Sequence, residues 1–86
     1  MPVHAQVHCQ VAFRREKAFG QERMRELVES RGFRITELSY HLDGERQLLE
    51  YEIVMWSGQS GAPTLLERAL LGEPDVNSFR ITPTRD

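Results

Sequence analysis

The sequence predicts an α+β sandwich of order βαββαβ, a four-stranded antiparallel sheet with both helices on one face. Three observations lead there. Residues 3 to 13, VHAQVHCQVAF, place Val3, Ala5, Val7, Cys9, Val11 and Phe13 at every odd position and mostly polar residues between them. Such period-two alternation marks a strand with one buried and one polar face. Two segments carry helical spacing instead, flanking a pair of β-rich runs that meet at Asp43-Gly44. A third β-rich run closes the chain at VNSFRIT. Right-handed crossovers fold this order into a ferredoxin-like arrangement, with the first and third strands side by side in the centre. Amphipathic strands fit it, because helices on one face leave the other face wet.

In RREKAFGQERMRELVESRG (14–32), Gly20, Met24, Leu27 and Val28 fall along one helical stripe, and Gly32 is a natural left-handed stop. FRITELSYHL (33–42) reads as the second strand and RQLLEYEIVMW (46–56) as the third, with Leu49, Tyr51, Ile53 and Met55 on one face. Asp43-Gly44 between them is a hairpin signal, since glycine tolerates the positive φ of such turns. After the loop SGQSGAP, Pro63 suits a first helical turn. The second helix, TLLERALLG (64–72), is expected to bury Leu65, Leu66, Ala69 and Leu70 and to end at Gly72. EPD turns the chain into the last strand (76–82), with Phe79 and Ile81 inward. No linker, repeat or low-complexity segment interrupts it, so a single domain over residues 1–86 is expected.

Eighty-six residues, 40% hydrophobic and 28% charged, support one modest core, stable by only a few kcal/mol without a partner. The single cysteine excludes an internal disulfide framework and fits a reducing compartment. The longest apolar run, IVMW (53–56), spans no bilayer, and MPVHAQ lacks the order of a signal peptide. A soluble, cytosolic chain is the expectation. The net charge of −2 hides an asymmetry: residues 14–34 carry seven Lys/Arg against four Glu, and residues 35–86 four Arg against nine Asp/Glu. Arg14, Arg15, Lys17 and Arg23 would thus offer a basic surface to anionic lipid headgroups. The plainer reading is a solvated helix face.

His4, His8 and Cys9 suggest a soft-metal site by spacing, and the strand rules it out. At a strand's rise His4 and His8 stand ~13 Å apart, and Cys9 points to the opposite face, into the core. A weaker metal reading keeps His4, His8, Glu50 and Glu52 together on the open face, with His41 joining from the second strand. RNA-recognition domains of this fold stack bases on aromatic residues of the central strands. Here the exposed positions are His4, Gln6, His8, Gln10, Glu50 and Glu52, whose carboxylates repel phosphate, so no nucleic-acid partner is expected. Ser57, Ser60, His41 and Asp43 make no nucleophile arrangement. SGQSG lacks the lysine and spacing of a phosphate loop. A non-enzymatic chain with no cofactor is therefore expected. Gly20 either permits close approach of a small molecule at the first strand-to-helix junction or packs in the helix stripe.

With this topology, VHCQV, ERMRELVESRGFRITELSYHL, LLEYEIVMW and LLERALLGEPDVNSFRIT together resemble the C-terminal domain of MgtC/SapB-type proteins. The resemblance runs over roughly residues 5 to 83 as a pattern of apolar positions and turns. It implies an ACT-like domain on the cytoplasmic side of a bacterial inner-membrane protein associated with low-magnesium growth and survival inside macrophages. The family's membrane half, which carries its best-defined motifs, has no counterpart here, and no functional residue transfers.

Three functional expectations follow. The first is a non-enzymatic regulatory or interaction domain of an MgtC-like protein, contacting a protein partner, its own membrane domain or a second copy near the membrane surface. The second is an ACT-type sensor holding an amino acid near Gly20. The third is a divalent-metal module built on the open-face histidines.

Overall fold

Strand β1 (Ala5–Arg14) is followed by a 3-10 turn (Arg15–Lys17) and helix α1 (Gln21–Glu29). Strands β2 (Arg34–Asp43) and β3 (Leu48–Ser57) come next, then α2 (Ala62–Leu71) and β4 (Val76–Thr84). The computed structural model describes residues 5–84. Strand order is β2-β3-β1-β4, and every neighbouring pair is antiparallel, the ferredoxin-like arrangement the sequence predicts. Register places Cys9 opposite Ile53 and Ile81, and Val11 opposite Tyr51 and Phe79. This aligned inner face supplies Val7, Cys9, Val11 and Phe13 of β1 and Tyr51, Ile53 and Met55 of β3 to the core. Met24, Leu27 and Val28 of α1 and Ala62, Leu66 and Leu70 of α2 cover them. Fully burying each large apolar side chain stabilises by roughly 1.5–3 kcal/mol, so this layer contact is what holds the sheet.

The first helix starts later than the stripe from Gly20 implies. Phe19 is buried, its ring 4.6 Å from that of Phe13, and its carbonyl accepts the Tyr51 hydroxyl at 2.6 Å. That anchor holds the chain extended until Gly20, which becomes the N-cap, exposed and with open space where a side chain would be. Gly20 is therefore not a packing residue. Gly32 does adopt the left-handed conformation, φ +95°, that ends the helix.

Two further expectations change at the hairpin and at α2. The turn uses four residues, 44–47, and its positive φ of 57° falls on Gln47 rather than Gly44. Asp43 fixes the loop by accepting the Glu45 and Arg46 amides on Oδ1, at 3.1 and 3.0 Å. In α2, Pro63 sits in the first turn as expected, but Leu65 is 47% exposed. The buried stripe is Ala62, Leu66 and Leu70, at i, i+4 and i+8, which rotates Leu65 outward.

The helices are also shorter than the strands they cover. Nine helical residues reach about 14 Å, while ten strand residues reach about 33 Å. Tyr40 and Leu42, on the helix-facing side of β2, consequently lie beyond that cover and are 56% and 41% exposed.

Candidate functional site: the open sheet face

The face away from the helices is built by the alternate residues of all four strands. Register sets them in cross-strand rows: Arg80–Gln10–Glu52–Ser39, then Ser78–Ala12–Glu50–His41, then Thr82–His8–Val54–Glu37. The first two rows line a shallow depression of about 400 Å³. Ala12 forms its floor, nearly buried beneath the longer side chains around it. Gln10 donates from Nε2 to Glu52 Oε2 at 3.0 Å, and Thr84 Oγ1 donates to Gln6 at the far end of the face.

Charge is unevenly spread. The β2–β3 half carries Glu37, Asp43, Glu50 and Glu52 against Arg34, whereas the β1–β4 half carries Arg14 and Arg80 with no carboxylate among the described residues. Arg80, Glu50 and Glu52 form no ion pair among the described residues. The face is thus a polarised surface with an acidic and a basic half. Its two central carboxylates, Glu50 and Glu52, are about 6.6 Å apart along the strand, too far to share a proton as an acid–base dyad does.

The proposed metal ligands are only partly brought together. His41 lies directly opposite Glu50, while His8 faces Val54 and reaches Glu52 only on the diagonal. No group of three or more His, Cys, Asp or Glu side chains is placed to hold an ion among the described residues, and His4 falls outside them. Cys9 is sealed in the core, and burial pushes its thiol up to about 12. That thiol stays protonated at neutral pH, which removes it as a nucleophile or soft ligand. Burial also raises the Tyr51 phenol, with the neighbouring Tyr40 adding to it.

The basic surface is divided. Arg14 lies 3.6 Å from Glu16, and Arg23 stacks its guanidinium 3.6 Å over the Phe19 ring while approaching Glu73 at 3.9 Å. Arg15 and Lys17 are exposed beside them. Arg23 thus closes over the core as an amphipathic cover, and its charge is partly answered within the chain.

Sequence reasoning missed Arg80, Ser78 and Ser39, which complete the depression. The signal was present in VNSFRIT, where Phe79 and Ile81 turned inward leave Ser78 and Arg80 on the opposite face.

No family model and no curated protein matches the chain. Among solved structures, it is similar to the C-terminal domain of the MgtC protein from Mycobacterium tuberculosis, with a TM-score of 0.66 at 14% identity. The likeness covers 93% of this chain and 87% of that domain. The chain has the fold of the MgtC C-terminal domain. In this strand order β1 and β3 present the centre of the uncovered face. No helix among the described residues is long and apolar enough to cross a membrane.

Proposed function

We propose that this chain is a non-enzymatic regulatory and interaction domain of an MgtC-like bacterial inner-membrane protein, and that the uncovered sheet face is its docking surface. The single observation that carries the reading is the extent of the likeness, 93% of the chain in one continuous βαββαβ fold. The character of the exposed face supports it: segregated opposite charges, amides and hydroxyls on four strands, with the one thiol locked in the core. Carboxylates at the centre disfavour nucleic acid and favour a protein partner. A role in low-magnesium growth and intracellular survival belongs to this same proposal, through the parent protein rather than through ion binding here.

Antibody raised against the chain and used on fractionated native cells tests it. Signal in the membrane fraction at a mass well above that of 86 residues is expected, along with poor growth at limiting magnesium when the gene is deleted. A short soluble species and unaltered growth would overturn the MgtC-like assignment.

A further inference from the structure

We infer that the partner on the open face is a second copy of this chain, packed sheet to sheet about a twofold axis running parallel to the strands. The inference rests on the reading of that face as a docking surface, and charge complementarity selects its occupant. A twofold along the strands lays β1 on the second copy's β3 and β4 on its β2. The half bearing Arg80 then meets the half bearing Glu37, Glu50 and Glu52, twice per dimer. Because a row keeps its height under this rotation, Gln10 lies over the second copy's Glu52, and Arg80 one strand to the side. Aligned sheets pack about 10 Å apart, a gap that a long arginine and a glutamate span together. A twofold across the strands at the height of these rows would instead lay β3 on β3 and set Glu50 and Glu52 against like charge, which disfavours it. Arg80, Glu50 and Glu52 form no ion pair among the described residues, and Glu52 holds only the neutral Gln10 amide on Oε2, so their charges are left for this pairing.

Area sets the expected strength. Four strands about 4.8 Å apart and about 33 Å long offer roughly 600 Å² per copy. That is near 1,200 Å² in total, the lower end of specific interfaces, and places the dissociation constant at roughly micromolar or weaker. The depression floored by Ala12 is where the second copy's side chains would seat.

Sedimentation velocity from about 10 μM to about 1 mM reads the outcome, since that range brackets a weak dimer. The wild-type chain should move from monomer toward dimer mass. Arg80→Glu alone and Glu52→Arg alone each set like charges against each other and should weaken association at least about tenfold. An equimolar mixture of the two variants restores both contacts and should associate as the wild type does. Amide spectra check that each variant is folded, which these exposed positions favour. A wild-type chain that stays monomeric to the highest concentration overturns the inference. So do single variants that associate normally, or a mixture that fails to. A monomer whose parent still fractionates with membranes would remove the second copy while leaving the MgtC-like reading standing.

Discussion

Replacing Tyr51 with phenylalanine removes a single oxygen from the best-defined buried polar contact of the domain. The ring remains, edge-on to Phe13 with centroids 6.1 Å apart, so packing is preserved. What disappears is the donor to the Phe19 carbonyl at 2.6 Å, a contact between segments 32 residues apart. A hydrogen bond of this kind contributes about 1 kcal/mol, and stranding its buried acceptor raises the loss to about 1–3 kcal/mol. In a domain of this size each kcal/mol moves the melting temperature by about 4–8 °C. Thermal melts followed by circular dichroism at neutral pH should therefore place Tyr51→Phe at least about 4 °C below the wild type. The difference should narrow in alkali. The folded phenol is raised above its ordinary value of 10.0, so its contribution is complete below that pH and is lost as pH rises through the folded value. An unchanged melting temperature would refute the view that Tyr51 anchors the segment leading into α1.

Leu66→Ala, which empties a fully buried site in α2, should cost about 2–5 kcal/mol, whereas Leu65→Ala one position earlier should stay within about 0.5 kcal/mol; urea midpoints compare them. Cys9 provides a second pH test. Its thiol is raised from 9.0 to about 12, so the unfolded chain ionises first and the native state holds the extra proton. Stability should fall as pH rises above 9.0, and Cys9→Val, measured by urea unfolding across the same range, should lessen that fall while leaving the part that Tyr51 contributes.

Most of the fold was legible because its signals are local and redundant. Period-two alternation in residues 5–13, the stripe of Met24, Leu27 and Val28, and Pro63 before an apolar run each specify an element without reference to the rest. What escaped depends on tertiary anchoring. Gly20 fits a helical spacing by sequence, yet buried Phe19 holds the chain extended up to it. Leu65 and Leu66 are equivalent by composition, and only the rotation of α2 set by Ala62, Leu66 and Leu70 decides which one is inside. The open face was half legible. Alternation placed His8, Gln10, Glu50 and Glu52 on it, but which residues become neighbours is a matter of register. Register opposes His41 to Glu50 and His8 to Val54, and brings Arg80 into the row of Gln10 and Glu52.

An amide NMR titration of the 86-residue chain tests most directly whether the open face is a docking surface rather than a small-molecule site. Magnesium, zinc and a panel of amino acids are added in turn, and the chain's own concentration is then raised. Small molecules should leave the spectrum in place, while rising concentration should shift Gln10, Glu52, Arg80 and their row neighbours together. Saturable shifts around His8, His41 and Glu50 with a metal ion, or around Gly20 with an amino acid, would contradict the account and make the domain a sensor.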